Sequence, residues 1–283
     1  MPTRPGAGPR LVVLVAAVCV TLAGCTDTNP GWRMRRVFKP IRSPQESMRL
    51  ALSSTDADER REAVAHVADS RSFDADWAIE GFAAIAQLES DASARCIAIR
   101  ALARSGSQKA AETIIGVLAA RPTPEGPLTV RPPDELTRGD ATLALAELSA
   151  GAAAEAPWRA AAHALFLDLL KDDRNRAARI AAARGLGEYP LPETVSALVA
   201  ALRDRDFAVV HAAEASLVRL TGETHECNPI AWEAWASAHQ GRLFEGAGRI
   251  PESRRPPYDN RFEQAGYEVK QWFGSVFPAA KGQ

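Results

Sequence analysis

Residues that could bind a metal ion lie together near the end of the chain. His225, Glu226 and Cys227 are consecutive, and His239 follows one helical segment later. Imidazole nitrogen, carboxylate oxygen and thiolate sulfur are the ligands that Zn²⁺ takes in proteins. The five histidines are otherwise scattered, and no paired Cys-x-x-Cys accompanies them. Because isolated sets of this kind arise by chance, the sequence predicts no metal site and no cofactor.

Motifs of the common enzyme classes do not accompany this cluster. The sequence has no glycine-rich phosphate loop and no nucleophile elbow. Its formal net charge of -1 provides no basic field of the kind that binds nucleic acid. A hydrophobic content of 46% is typical of a globular protein, and an aromatic content of 6% suits closely packed helices. We therefore expect a folded, non-catalytic protein that does not bind nucleic acid.

A second reactive residue, Cys25, ends an N-terminal segment typical of exported proteins. Two arginines precede an apolar run at residues 11–22, which is shorter than a membrane-spanning helix. The run ends in Leu22-Ala23-Gly24-Cys25, which resembles the lipobox of bacterial lipoproteins in all four positions. That resemblance implies that residues 1–24 are a signal peptide and that Cys25 is lipidated after cleavage. The alternative is an ordinary signal peptide or signal anchor with an incidental cysteine.

Residues 25–43 are interpreted as a basic membrane tether. The part from residue 30 to residue 42 carries five cations and no acid, together with Trp32. Beside a lipid anchor, each cation contributes about 1 kcal/mol on an anionic surface. A solvated linker is the alternative. Thr26, rather than aspartate, follows Cys25, which favours the outer membrane if the cell has two membranes.

One phrase is repeated five times in the following part of the chain. An acidic or amide residue is followed four positions later by arginine, then by alanine three positions and by leucine or valine seven positions after the arginine. The instances begin at Asp56, Asp91, Asp134, Asn175 and Asp206, and only the last has valine instead of arginine. Such a repeat is typical of helical hairpins that stack to bury their apolar faces. The first residue of each phrase is placed to cap a helix.

This phrase resembles the second helix of HEAT-repeat proteins over residues 44–222. The resemblance implies an all-α fold: an α-solenoid, built as a right-handed superhelix of about five HEAT-like helical hairpins, with C-terminal capping helices. It also implies that the repeated acidic and arginine side chains form a structural ladder along the inner layer. The residues assigned to this ladder are Asp56, Arg60, Asp91, Arg95, Asp134, Arg138 and Arg179.

Two segments follow the repeats. Residues 223–241 contain a short helix with two tryptophans at helical spacing, which predicts a cap over the end of the core. Residues 242–283 contain a proline-rich linker and an amphipathic helix, whose aromatic stripe we expect to pack back on the repeats. Docking of these aromatic residues to a partner is the alternative. The candidate partner-binding residues are Trp32, Trp232, Trp235, Trp272 and Phe273.

An insertion at residues 121–133 contains five prolines and interrupts the third repeat. Proline prevents helix formation, so we expect an extended loop at one edge. Such a loop is either a binding element or a surface excursion without function.

These observations predict a lipid-anchored, non-catalytic scaffold or adaptor on the exported side of a bacterial cell membrane. We expect it to be monomeric and to bind an envelope protein. One alternative is a HEAT-like lyase or metal-dependent enzyme, related to deoxyhypusine hydroxylases or phycobilin lyases. The chain has one His-Glu pair, outside the repeats, where the former family needs several. The other alternative is a purely structural envelope component.

Overall fold

The computed structural model describes residues 42–121, 130–251 and 261–276. Cys25, Trp32, nearly all of the tether and the interior of the 121–133 insertion lie outside these residues, as does the side chain of Phe273. Over its described part the chain forms twelve α-helices and no strand, so the all-α prediction is confirmed. None of these helices is both long enough and apolar enough to cross a membrane.

The helices alternate between two layers and end with a separate C-terminal helix, α12 (Arg261–Val276). The first layer contains α1 (Pro44–Ser53), α3 (Asp76–Leu88), α5 (Gln108–Ala119), α7 (Arg159–Asp172), α9 (Pro192–Ala201) and α11 (Pro229–Ala238). The second layer contains α2 (Ala57–Ala68), α4 (Ala92–Ser105), α6 (Glu135–Gly151), α8 (Arg176–Leu186) and α10 (Phe207–Thr221).

Within each of the five hairpins the two helices pack against each other, and successive helices of one layer pack against each other as well. The five hairpins α1–α2 to α9–α10 therefore stack in chain order, and α11 continues the first layer against α9. This arrangement is an α-solenoid.

The repeated phrase explains where the second-layer helices begin. At all five starts the side chain of the first residue accepts a hydrogen bond from a backbone N–H of the first turn, with the shortest N···O distances between 2.8 and 2.9 Å. Each such cap contributes about 1 kcal/mol. The capping residues are Asp56, Asp91, Asp134, Asn175 and Asp206.

The apolar positions of the phrase form the core. The leucine or valine is fully buried in every repeat. The alanines are buried as well, and their small side chains allow neighbouring helices to approach closely. These two sets are Val67, Leu102, Leu145, Leu186 and Leu217, and Ala63, Ala98, Ala141, Ala182 and Ala213. Val210, which replaces the fifth arginine, is also buried.

Two of the second-layer helices end at a glycine in the left-handed region. Gly106 has a φ of 64° after α4, and Gly222 has a φ of 75° after α10. The two glycines have different surroundings. A Cβ added to Gly106 would meet no atom within 4 Å, whereas a Cβ added to Gly222 would collide with the carbonyl of Gly246. The chain after α11 thus returns across the end of α10, where the Gly248 N–H donates to Arg219 O at 3.0 Å.

Candidate interaction surface

The ladder arginines connect successive second-layer helices. The Arg60 guanidinium on α2 donates from Nε and Nη2 to the Glu89 carboxylate, at 2.7 and 2.9 Å. Arg179 on α8 contacts Asp204 in the same bidentate way, at 2.8 and 3.1 Å. Glu89 and Asp204 lie in the turns that precede α4 and α10, so each pair joins one repeat to the next.

Arg138 on α6 occupies the equivalent position beside Asp173. Its Nε lies 3.3 Å from Asp173 Oδ2, although the orientation does not give Nε a hydrogen bond. The Asp173 carboxylate also accepts the backbone N–H of Asn175 at 2.7 Å. A carboxylate that binds both the preceding arginine and the following turn fixes the spacing between two helices.

The ladder therefore differs in detail from the one implied by the sequence. We assigned Asp91 and Asp134 as partners of the arginines, but Asp91 contacts Arg61 at 3.5 Å and Asp134 lies 3.9 Å from Arg95. The closer carboxylates lie two residues before the caps. The sequence has an acidic residue at this position in three repeats, at Glu89, Asp173 and Asp204. We missed these residues because most of the capping residues are acidic too and were taken as the partners of the arginines.

Arg95 on α4 is the exception, because Pro132 stands where the repeats that follow Arg60, Arg138 and Arg179 have the acid. Its side chain is 1% exposed. Nε donates to Ala86 O at 3.0 Å, Nη1 to Pro132 O at 3.1 Å and Nη2 to Arg131 O at 2.8 Å. The end of the insertion thus holds the arginine through backbone carbonyls. Burial lowers the pKa of Arg95, and the Asp134 charge opposes that shift.

The arginines also change the acidity of their partners. Hydrogen bonding from Arg60 lowers the pKa of Glu89 to about 2, from an ordinary value of 4.5. Burial raises the pKa of Asp204, but hydrogen bonds from Arg179 and from the Asp206 N–H outweigh it and lower the pKa overall. Both carboxylates are therefore ionised at neutral pH, as the ladder requires.

The tryptophans of α11 close the end of the array. Trp232 is fully buried, and its indole N–H donates to Glu214 Oε2 at 2.6 Å. Trp235 meets Trp232 edge to face at 5.6 Å and stacks on His239 at 4.6 Å. The hypothesis that Trp232 contacts a partner is wrong, because this side chain has no surface to offer. Trp235 is half-buried.

Glu214 on α10 organises the turn that contains His225, Glu226 and Cys227. Its buried carboxylate also accepts the Thr224 hydroxyl at 2.7 Å and the Cys227 N–H at 3.2 Å. The His225 ring packs edge to face against Trp232 at 4.7 Å. Throughout the described ranges no three His, Cys, Asp or Glu side chains are grouped to hold a metal ion.

A groove lies between α6 and α8 at the surface of the second layer. It has a volume of about 580 Å³, which is within the range of ligand sites. Leu136 and Leu143 of α6, which are 55% and 38% exposed, face Ile180 of α8 across it. Arg184 of α8 also lines the groove. Sequence analysis did not identify this groove.

The C-terminal helix α12 does not have the environment expected from its sequence. We expected its aromatic stripe to pack on the repeats, but Phe262 is 92%, Val269 54% and Trp272 58% exposed. These three side chains are therefore not buried against the described repeats. Of the candidate partner-binding residues, Trp272 is the one with the most exposed side chain in the described part of the chain.

Comparison with known proteins identifies HEAT repeats in part of this array. The family model for HEAT repeats matches residues 163–226, a stretch that contains α8 to α10. A search of curated proteins finds no match. The solved structures include a similar chain described as an engineered protein, with 20% sequence identity and a TM-score of 0.49. That similarity covers 71% of this chain and 89% of the engineered one.

Proposed function

We propose that this chain is a non-catalytic scaffold that binds a protein through the groove between α6 and α8 while a lipid on Cys25 holds it to a bacterial envelope membrane. The exposure of Leu136 and Leu143 within one groove carries the binding part of the proposal. Clustered exposed leucines are costly in water and typical of interaction sites. The groove walls are helices of a stacked array, so the site needs little ordering on binding.

The membrane part of the proposal is supported by the sequence alone. The basic start, the apolar run and the lipobox-like residues 22–25 occur in the order that bacterial lipoproteins have. The diacylglycerol and N-acyl chains that lipoproteins carry exceed the two signals needed for stable anchoring. The 25–43 tether would then hold the array near anionic headgroups.

Photo-crosslinking in cells tests protein binding. A photoreactive amino acid replaces Leu143 in the full chain, and the products are identified by mass spectrometry after illumination. We expect a discrete protein adduct. The control places the same group at Leu88, which is 51% exposed and lies outside the groove. No adduct at Leu143, or the same adducts at both positions, would contradict a binding groove.

Lipidation is tested separately by replacing Cys25 with serine. We expect the wild-type chain to incorporate labelled fatty acid and to sediment with membranes, and we expect Cys25→Ser to lose the label and leave the pellet. A wild-type chain that sediments without incorporating the label would show that the anchor is assigned wrongly.

A further inference from the structure

We propose that the groove between α6 and α8 binds one amphipathic α-helix of another protein, which lies antiparallel to α6 and α8. This inference rests on the proposed function and specifies it, because it states the chemistry and the direction of the partner segment. The bound helix has an apolar face that enters the groove, acidic residues in its first turn and basic residues in its last turn. The shape of the groove, the charges at its two ends and the direction of its two walls support this occupant.

The groove has a floor of small side chains between larger apolar ones. Gly139 of α6 lies against Ala177 of α8, so closely that a Cβ on Gly139 would come within 3.2 Å of the Ala177 Cβ. Leu136, Leu143 and Ile180 line the groove as well. Two helices that approach each other at small residues leave a trough between their outer ridges, and the large side chains of a third helix pack into such a trough. The apolar lining therefore fits the apolar face of an amphipathic helix.

Three charged residues line the groove, namely Glu135, Asp140 and Arg184. The Asp140 carboxylate already has a partner in the chain, because Arg100 Nε of α4 donates to it at 2.8 Å. Glu135 and Arg184 are exposed. Within the described part of the chain neither of their side chains takes part in an ion pair, and other helices bond only to their backbone carbonyls. These two charges are therefore the ones that a bound segment has to complement.

The two charges lie at opposite ends of the groove. Glu135 is the first residue of α6, and its carbonyl accepts a hydrogen bond from Asn175 Nδ2 at the start of α8, so the two helices begin side by side. Arg184 lies eight residues after Arg176, the first residue of α8. Eight residues of helix span about 12 Å. A segment that fills the groove thus meets a carboxylate at one end and a guanidinium at the other.

The direction of the two walls favours an antiparallel helix. Because α6 and α8 begin side by side, their partly positive N-terminal ends both lie near Glu135. An antiparallel helix brings its partly negative C-terminal end to the same place. Basic residues stabilise the last turn of a helix and acidic residues its first turn, so this orientation puts bases beside Glu135 and acids beside Arg184. A parallel helix with the same charge pattern would place like charges together at both ends, which disfavours it.

Two synthetic peptides and the purified full-length chain test this inference. The peptides are helices of about four turns with the same composition and the same leucine stripe. The forward peptide has glutamates on both flanks of its first turn and arginines on both flanks of its last turn, and the reverse peptide has these residues exchanged. We expect the chain to bind the forward peptide about tenfold more tightly in fluorescence anisotropy, because two exposed ion pairs become two repulsive contacts in the reverse peptide.

Exchanging the charges of the groove should invert this preference. The variant carries Glu135→Arg and Arg184→Glu, and we expect it to bind the reverse peptide more tightly. The inversion separates recognition by the groove from any difference in helix content between the peptides, because that difference is the same for both chains. The matched control carries Glu155→Arg and Arg205→Glu, at exposed positions outside the groove, and should keep the wild-type preference. Thermal melting verifies that each variant is folded.

Crosslinks to the forward peptide report the direction of the bound helix. A photoreactive group at Leu136 should capture the C-terminal half of the peptide, and one at Leu143 its N-terminal half. The opposite assignment, failure to bind either peptide, a preference that the charge exchange does not invert, or one that the control variant loses would overturn the antiparallel helix. A cellular adduct at Leu143 that joins two copies of this chain would overturn it too. An adduct to another protein in cells would still support the proposed function, whereas the absence of any adduct would overturn both proposals.

Discussion

Arg95 is the most deeply buried charged side chain of the ladder, and its three hydrogen bonds end on carbonyls. We expect Arg95→Met to lower the free energy of unfolding by about 2–4 kcal/mol, because it removes the donor from buried carbonyls. Urea denaturation measures this change. The control Arg100→Met breaks the exposed pair with Asp140 and should cost less than about 1 kcal/mol. Equal costs would contradict the structural role of Arg95.

Glu89 should make stability depend on pH. Its pKa is about 2 in the folded chain against an ordinary 4.5, so the folded state binds the proton less readily. The stabilisation is complete above about pH 4.5 and is lost as the pH falls towards 2. We therefore expect Glu89→Gln to flatten the decrease in melting temperature over this window. Glu147→Gln, on an exposed part of α6, should retain the wild-type slope. Equal slopes for wild type and Glu89→Gln would contradict the Arg60–Glu89 pair.

At this scale the sequence identified the arginines but not their partners. A repeated arginine indicates a repeated contact, whereas several carboxylates near each helix start compete for it. Only the folded turn shows that Glu89 and Asp204 face the arginine while Asp91 and Asp206 cap the helix. The sequence predicted that the tryptophans of α11 cover the end of the core, but helical spacing alone did not tell which of the two would be fully buried.

At the scale of elements, the end of α10 is a point of close backbone approach. Gly222→Ala introduces a Cβ that collides with Gly246 O and also strains a φ of 75°. Gly106→Ala introduces only the strain of a φ of 64°, which costs about 1 kcal/mol. We expect Gly222→Ala to lower the free energy of unfolding by clearly more than Gly106→Ala, as measured by urea denaturation. Similar losses in the two variants would show that the close approach of Gly246 to Gly222 does not contribute to the free energy of unfolding.

The helix starts could be predicted from the sequence, while the environment of α12 could not. The capping residues specify the first turn locally, so α2, α4, α6, α8 and α10 begin where the phrase indicates. An amphipathic helix needs an apolar neighbour, but its sequence does not say whether that neighbour belongs to the same chain. The groove was missed because Leu136 and Leu143 have the periodicity of core residues.

At the scale of the whole molecule, each hairpin is stabilised by its contacts with the neighbouring hairpins, so a substitution in one hairpin should destabilise its neighbours most. Leu145 is fully buried in the central helix α6, and Leu145→Ala should cost about 2–5 kcal/mol. We expect hydrogen exchange to increase most in α5 to α8 and least in α1 and α11. Leu52→Ala, at a position that is 53% exposed, serves as the control and should change little. A uniform increase along the chain would show that the array opens as one cooperative unit.

The repeat architecture was the most predictable level, because five copies of one phrase give the same structural signal five times. The interruption by the 121–133 insertion was visible too, as a cluster of prolines. Its structural effect was not, since the carbonyls of Arg131 and Pro132 that hold Arg95 are backbone groups and carry no sequence signature.

That carbonyl contact has a consequence for acidification. At the α2–α4 and α8–α10 junctions, arginine binds a carboxylate, Glu89 or Asp204, that protonation can neutralise. At the α4–α6 junction the principal acceptors are peptide oxygens, which do not titrate. Falling pH thus weakens the arginine–carboxylate pairs at the α2–α4 and α8–α10 junctions, whereas the hydrogen bonds from Arg95 to the end of the proline insertion persist at the α4–α6 junction.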